Sequence, residues 1–190
     1  MKKEMQNAEL LALAAEKGFS AALLPVEEIP VNAEFRKYCE ENRCGRYDAN
    51  YSCPPACGTP EQLHQRLLAQ RTAMVLKTEW PIESYTDVAG IVHGKTEHNT
   101  RALALLDELC AAGYEGVYAG SSCCGLCAEC KCVTGEPCPY PERRYSCVSA
   151  YCVDVAALAE RCGLPFAWDQ QKLYCYSLIA FRPAEADRTE

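Results

Sequence analysis

The sequence has no excess of basic residues and no long apolar run, and each absence excludes a class of protein. Lys and Arg number 19 against 26 Asp and Glu, so the net charge is −7. This balance disfavours binding to nucleic acid or anionic membranes through a basic surface. No stretch approaches the roughly 18 consecutive apolar residues of a membrane-spanning helix, and no signal-peptide cleavage site follows the apolar stretch at 8–15. We therefore predict a cytoplasmic protein that binds neither nucleic acid nor membranes.

Familiar catalytic motifs are also missing. The chain has no G-x-G-x-x-G fingerprint after a strand, no G-x4-G-K-[ST] phosphate loop and no G-x-S-x-G nucleophile elbow. Its cysteine triplet is spaced C-x2-C-x2-C, which differs from the C-x3-C-x2-C spacing associated with radical S-adenosylmethionine enzymes. The sequence therefore disfavours nucleotide-binding, serine-hydrolase and radical S-adenosylmethionine chemistry.

Cysteine, by contrast, is abundant, with 15 residues in a chain of 190. A chain of this length buries enough surface to fold without covalent cross-links. In a reducing cytoplasm, dense cysteine is typical of metal or redox sites, and an odd count cannot pair completely into disulfides. We therefore expect metal or redox chemistry and disfavour a secreted disulfide scaffold.

Helical and extended patterns alternate along the chain, which predicts a mixed α/β (α+β) fold. The predicted helices span 7–17, 60–71, 96–112 and 146–161, and the predicted strands span 21–26, 73–78, 116–120 and 173–181. We expect a single domain over residues 1–190, in which a mixed sheet with flanking helices carries two cysteine-rich loops, at about 34–59 and 121–145. Cys110, Cys162 and Cys175 fall on apolar faces, where we expect them to pack as small hydrophobic side chains.

The strongest motif lies in the second loop, where Cys124, Cys127 and Cys130 have C-x2-C-x2-C spacing and Cys138 precedes a proline. Bacterial ferredoxins hold [4Fe–4S] clusters with the same parts, whereas structural zinc sites more often use two separated C-x2-C knuckles. The spacing from Cys130 to Cys138 is longer than in ferredoxins. We therefore predict a [4Fe–4S] cluster on these four cysteines, with zinc as the alternative metal and with Cys123 and Cys132 as possible substitute ligands.

The first loop carries Cys39, Cys44, Cys53 and Cys57 among turn-forming residues, including Pro54-Pro55. Four thiols in one irregular loop indicate a second metal site, either a second [4Fe–4S] cluster or zinc, with unligated thiols as the remaining alternative. Cys57 is the least secure ligand. A cluster held by only the other three cysteines would leave one iron open to a substrate.

The sequence resembles a known family of predicted metal-binding proteins, domain of unknown function 2284, which is common in anaerobic bacteria and archaea. The resemblance spans about 33–155 and rests on Cys39, Asn42-Arg43-Cys44-Gly45-Arg46-Tyr47, Tyr51-Ser52-Cys53-Pro54-Pro55, the Cys124 triplet, Cys138 and Val153-Asp154-Val155. It implies metal binding but no particular reaction. It also implies that Cys147 and Cys152 are local additions, and that position 57 is often not cysteine, so that the first site has three protein thiolates.

These observations predict an iron–sulfur protein with one or two [4Fe–4S] clusters, acting in electron transfer or as the redox partner of another protein in anaerobic metabolism. Two alternatives stay open: an enzyme that uses an open-site cluster as Lewis acid or sulfur acceptor, and a zinc-stabilised binding module. Four arginines flank the loops and are placed to offset the charge of about −2 on a four-thiolate cluster. They are Arg43, Arg46, Arg143 and Arg144.

Overall fold

The computed structural model describes residues 4–165 and 167–185, which form five helices and five strands. The helices are α1 (Asn7–Glu16), α2 (Arg36–Glu40), α3 (Pro60–Leu68), α4 (Val88–Ala112) and α5 (Val155–Arg161). The strands are β1 (Ser20–Pro25), β2 (Thr72–Pro81), β3 (Tyr114–Gly120), β4 (Ser146–Cys147) and β5 (Lys172–Pro183). Short 3-10 helices lie at Val26–Glu28, Ala33–Phe35 and Lys131–Thr134.

The strands form one mixed sheet in the order β1-β2-β5-β3-β4. Every neighbouring pair is antiparallel except β3 and β4, which run parallel. The predicted mixed sheet with flanking helices is therefore confirmed. The long β5 occupies the centre of the sheet, and β4 forms a short edge next to the end of β3.

Both faces of the sheet are covered by helices, so the central strands are apolar on both sides. Because successive side chains point to opposite faces, Val75 and Leu178 pack in the core with α3 and α5. Their neighbours Met74 and Ile179 pack in the other core with α1 and α4. The second cysteine-rich loop leaves β3 at Gly120, where β4 pairs with β3, and the first loop contacts it through Ser52.

Helix α4 begins at Val88, eight positions before its predicted start, and Asp87 caps it by accepting a hydrogen bond from the Gly90 amide at 2.8 Å. The sequence concealed this beginning because Gly90 and Gly94 weaken the helical pattern. A Cβ at Gly94 would lie 2.8 Å from Trp80 Cγ, so glycine allows the helix to approach β2 closely. Gly113, at φ 99°, ends the helix as predicted.

The buried stripe of α4 is displaced from the predicted one. Its members recur every three or four residues: Gly94, His98, Ala102, Leu105 and Leu109. Cys110 lies one position further around the helix and is exposed, so its predicted packing role is wrong. Cys175 is buried as predicted, and the half-buried Cys162 packs against the core formed with α5.

The predicted helix at 146–161 is wrong in its first half. Ser146 and Cys147 form β4 because they pair with Ala119 and Gly120 of β3. A turn follows, in which Cys152 has a φ of 58°, and α5 begins only after Asp154 accepts a hydrogen bond from the Ala157 amide at 3.0 Å. No helix in the described part of the chain combines the length and the apolar character needed to cross a membrane.

Candidate metal centre

The two cysteine-rich loops contact each other through residues that lie between the cysteines. The Cys124 amide donates a hydrogen bond to Ser52 Oγ at 2.9 Å, and Asn50 Nδ2 donates to the Cys124 carbonyl at 3.2 Å. The Tyr51 amide contacts Cys130 Sγ at 3.5 Å. Ser52 is completely buried. These hydrogen bonds hold the first loop against the start of the cysteine triplet. The spacing of cysteines within either loop does not indicate this contact.

The second loop is also fixed to the sheet and to α4. Asn99, a buried residue of α4, accepts hydrogen bonds from the Tyr118 hydroxyl at 2.7 Å and from the Ser121 amide at 3.0 Å. Its Nδ2 donates to Ser122 Oγ at 2.8 Å. One side chain therefore sets the direction in which the chain leaves β3, immediately before the first cysteine of the loop.

The four cysteines predicted to hold the first cluster line one cavity. They are Cys124, Cys127, Cys130 and Cys138. Asn50, Lys131, Tyr140 and Arg144 line it as well, and no carboxylate is among its described lining residues. Burial raises the pKa of the Cys124 thiol, and negative charge on Cys138 and Cys127 raises it further. The positive charge of a bound metal would offset both effects and stabilise the thiolate, which is the ligating form.

The four cysteines predicted for the second metal site are divided: the charges of Cys44 and Cys57 act on Cys39, whereas Cys53 interacts with Cys123 and Cys147. Cys44 is exposed. Cys57 is 3% exposed, and its thiol lies 3.7 Å from Arg36 Nη1 and 3.7 Å from the Gly58 carbonyl oxygen. Cys39 Sγ lies 3.9 Å from the Ser149 carbonyl oxygen, close to β4. Cys53 instead contacts the second loop.

The thiols of Cys53 and Cys123 interact across the two loops. This interaction, assisted by the charge of Arg46, lowers the pKa of Cys123 to about 6 despite its burial. The same interaction and burial raise the pKa of Cys53. Burial raises the pKa of Cys147 to about 12, and charges on Cys39 and Cys123 add to the effect. Cys123 and Cys147, from two other segments of the chain, therefore both interact with Cys53.

Arg36 of α2 occupies the centre of a separate group of thiols. Its Nη2 donates to the carbonyls of Gly58 at 3.2 Å and Ala150 at 3.0 Å. Among the described residues, its buried Nε meets no acceptor. The positive charge of Arg36 opposes the increase that burial causes in the pKa of Cys39 and of Cys152. Arg36 therefore connects the first loop to the turn after β4, and its charge favours the thiolate forms of Cys39 and Cys152.

The four flanking arginines have different surroundings. Arg43 pairs with Glu41, and Arg143 makes two 3.0 Å contacts with the Asp107 carboxylate. The guanidinium of Arg144 lies 5.7 Å from the centre of the Tyr51 ring. Arg46 acts on Cys123, as described above. Two of the four therefore lie beside the cysteines, and two are paired with carboxylates.

Sequence reasoning missed several residues that organise the centre. These residues carry no metal-binding signature, and they do not recur at a regular spacing from the cysteines. They are Arg36, Asn50, Ser52 and Asn99. Ser52 could have been noticed only as part of the motif that precedes Cys53. His98 is buried in α4 between Thr78 Oγ1 and Ser177 Oγ, both at 2.7 Å.

The donors at this end of the sheet suit an iron–sulfur cluster or zinc, because thiolates select these metals whereas Mg²⁺ and Ca²⁺ require oxygen ligands. All 15 cysteines are free thiols, and all but Cys110, Cys162 and Cys175 lie in or beside the two loops. In the part of the chain that the structure describes, no three Cys, His, Asp or Glu side chains are already arranged around a point that one ion could occupy. A [4Fe–4S] cubane binds its thiolates through four separate irons, so its ligands do not have to surround the position of a single ion.

Comparison with known proteins gives one result. The family model described as "Predicted metal-binding protein (DUF2284)" matches residues 22–181, which include both loops and all five strands except the ends of β1 and β5. No curated protein and no solved structure matches the chain significantly. Because the match covers most of the sequence and contains the whole candidate centre, the chain belongs to this family of predicted metal-binding proteins.

Proposed function

We propose that this protein is an iron–sulfur protein whose Cys124, Cys127, Cys130 and Cys138 hold a [4Fe–4S] cluster. The observation that supports the proposal is the single cavity lined by these four thiols and by no described carboxylate. The first loop supplies thiols for a second cluster. A bound cluster of this type exchanges one electron, at a potential set by burial and by hydrogen bonds to its sulfurs.

The residues around the cavity suit electron transfer with a protein partner. The Tyr51 amide points at Cys130 Sγ, and a hydrogen bond to a ligating sulfur stabilises the reduced, more negative state. Lys131 and Arg144 line the cavity, and the Tyr140 side chain beside them is 48% exposed. Because Lys131 is paired with Glu136, the charge of Arg144 and the ring of Tyr140 would receive a redox partner with an acidic surface.

Metal and sulfide counts test the proposal. The chain should be purified without oxygen and analysed for iron, zinc and acid-labile sulfide, together with its visible spectrum and the EPR spectrum after reduction. We expect a brown protein with about eight irons and eight sulfides per chain, the content of two cubanes. Zinc without sulfide would overturn the proposal and support a zinc-stabilised binding module.

A pair of variants assigns the first cluster. Cys127→Ser removes a predicted ligand and should halve the iron and sulfide content. Cys110→Ser changes an exposed cysteine of α4 outside both loops and should leave the content unchanged. Equal iron content in the two variants would contradict the assignment of the cavity.

A second candidate function, catalysis at a cluster with one open iron, is favoured by a neighbouring cavity of about 310 Å³. This volume is at the lower end for small-molecule sites. Cys57, Arg66 and Arg144 are among its lining residues, so it combines a thiol of the first loop with cationic groups suited to an anionic ligand. If the first-loop cluster has an open iron, added sulfide will change its EPR spectrum, and Cys57→Ser will leave the spectrum without sulfide unaltered. A cluster with four thiolate ligands will not respond to sulfide.

A further inference from the structure

The free edge of β3 forms one side of the cavity of about 310 Å³. β4 pairs only with Ala119 and Gly120 at the end of β3. In the part of the chain that the structure describes, the earlier residues of β3 therefore have β5 on one side and no strand on the other. Gly116, Val117 and Tyr118 line the cavity. The cavity thus lies along the part of the sheet edge that β4 does not cover.

The backbone of Gly116 presents polar groups on this side of β3. The Ala184 amide donates to the Gly113 carbonyl at 2.9 Å, and hydrogen-bonded pairs alternate along antiparallel strands. In the register of β3 with β5, Glu115 and Val117 therefore bond to β5. Gly116 lies between them, so its amide and carbonyl point away from β5. Such groups on an edge strand are available to a ligand.

Helices from both faces of the sheet form the walls of the cavity. Arg66 belongs to α3, which packs on one face. Leu103 and Leu106 belong to α4 and pack against the core on the other face. The cavity therefore crosses the edge of the sheet, and its wall on the side of α4 is apolar.

The segment 141–146, which leads into β4, encloses the cavity from outside. Arg143 makes two 3.0 Å contacts with the Asp107 carboxylate, and these hold the segment to α4. Just after the segment, the Val148 amide donates to the Gly120 carbonyl at 2.9 Å, which holds this end to β3. Because the segment is attached at both ends, the space beside β3 suits a small molecule.

The lining carries one more positive charge than negative charge. Its charged members are Arg66, Arg143, Arg144, Asp107 and Glu142. Arg143 is paired with Asp107. Arg66 and Arg144 form no ion pair with any described carboxylate. Guanidinium groups without a carboxylate partner are suited to bind the carboxylate of a ligand.

Arg144 connects this cavity to the one lined by the cysteine triplet, because it lines both. Its guanidinium lies 5.7 Å from the centre of the Tyr51 ring. The Tyr51 hydroxyl donates to the Glu136 carbonyl at 2.8 Å, and this bond fixes the ring. A ligand bound to Arg144 would therefore lie beside the proposed cluster.

We propose that this cavity binds a small organic monocarboxylate, with its carboxylate on Arg66 and Arg144 and its apolar body against Leu103 and Leu106. One excess positive charge matches a monoanion better than a phosphate ester, which carries about −1.5 to −2 at neutral pH. The inference names the ligand class of the second candidate function, and its catalytic meaning rests on that proposed function. Binding itself requires no metal.

Isothermal titration calorimetry of the anaerobically purified full chain tests the ligand class. The probes are hexanoate, 1-hexanol, acetate and hexyl phosphate. We expect hexanoate to bind. 1-Hexanol lacks the charge and acetate lacks the apolar body, so both should bind at least about ten-fold more weakly. Hexyl phosphate should also bind more weakly than hexanoate, because its second charge has no partner.

Three variants test the location of the site. Arg66→Gln removes a charged donor and should raise the Kd for hexanoate about ten-fold or more. Cys110→Trp enlarges an exposed side chain that lines the cavity, and it should weaken binding at least as much by filling the space. Arg161→Gln is the matched control, because Arg161 is an exposed arginine of α5 that pairs with Glu28; it should leave the Kd unchanged. Circular dichroism verifies that each variant folds.

The outcomes separate this inference from the iron–sulfur function. Hexanoate binding that either Arg66→Gln or Cys110→Trp leaves unchanged would overturn the site, and tighter binding of hexyl phosphate would overturn the ligand class. A chain with about eight irons that binds no hexanoate would overturn the inference and leave the iron–sulfur function intact. Hexanoate binding, sensitive to both variants, by a chain with zinc and no sulfide would support the inference and overturn that function.

Discussion

The hydroxyl of Ser52 accepts a hydrogen bond from the amide of Cys124, 72 positions further along the chain. This bond connects a completely buried side chain of the first loop to the backbone of the cysteine triplet. The geometry of the second loop therefore depends on the first. We therefore expect that substitutions at residues distant in sequence from a presumed ligand will alter how well the protein retains its metal.

Ser52→Ala removes the acceptor for the Cys124 amide. An amide left without a partner at a partly buried position costs about 1–3 kcal/mol, and we expect a loss of stability of this size in denaturant titrations of the metal-free protein. The iron bound to the triplet should also dissociate faster in the presence of a chelator. Ser84→Ala is the control, because Ser84 is only partly buried and its hydrogen bonds among the described residues join it to nearby Thr86. Equal chelation rates in the two variants would contradict a connection between the loops.

Asn99→Leu removes the side chain that fixes the exit from β3. The hydroxyl of Tyr118, the amide of Ser121 and the hydroxyl of Ser122 would all lose a partner. Because several polar groups are affected together, we expect Asn99→Leu to reduce the free energy of unfolding by at least about 2 kcal/mol.

Tyr118→Phe provides the comparison for Asn99→Leu. It deletes the hydroxyl that donates to Asn99 Oδ1 and should cost about 1 kcal/mol. Denaturant titration of both metal-free variants measures the difference. A loss in Tyr118→Phe as large as that in Asn99→Leu would show that Asn99 acts only through the tyrosine.

His98 should make the metal-free protein less stable at acidic pH. Burial lowers its pKa to about 3 in the folded state, whereas an unfolded chain protonates histidine near pH 6.5. Between these values the unfolded state binds more protons, so the stabilising contribution of neutral His98 decreases as the pH falls below about 6.5. The slope approaches about 1.4 kcal/mol per pH unit.

The variant His98→Gln isolates this contribution. The difference in unfolding free energy between the wild type and His98→Gln should be largest at neutral pH and should decrease toward pH 4. Denaturant titrations at several pH values measure it. A flat profile for His98→Gln would refute the assignment.

Arg36→Met should destabilise the connection between α2, the first loop and the turn after β4. The carbonyls of Gly58 and Ala150 lose a charged donor, and bonds of this kind contribute about 1.5–3 kcal/mol. Arg36→Lys keeps the charge but has one nitrogen in place of three, so it cannot also keep the contact of Nη1 with Cys57 Sγ and should recover only part of the loss. Lys37→Met, on the exposed side of the same helix, should change stability by less than about 0.5 kcal/mol. A full recovery by lysine would show that charge alone accounts for the role of Arg36.

Several parts of the fold were predictable because their signals are local. The helix α3 follows from Thr59 and Gln62, whose side chains form a capping box around Pro60. Gly113 marks the end of α4 for a similar reason. The sequence pattern does not show the start of α4, because Gly94 weakens the helical signal while it allows close contact with Trp80. The pattern does not show β4 either, because its two residues are extended only through pairing with β3.

The sequence by itself determined the chemistry available to this protein: many thiols, a contiguous cysteine triplet with a fourth cysteine nearby, and the family to which the chain belongs. Spacing within a loop is enough for that, because ligands a few residues apart meet through local backbone turns. Only the tertiary structure decided which thiols from different segments interact. Cys53 meets Cys123 because Ser52 binds the second loop, and Cys147 joins them because β4 pairs with β3. Contacts of this kind arise from chain closure and sheet pairing, which have no local period in the sequence.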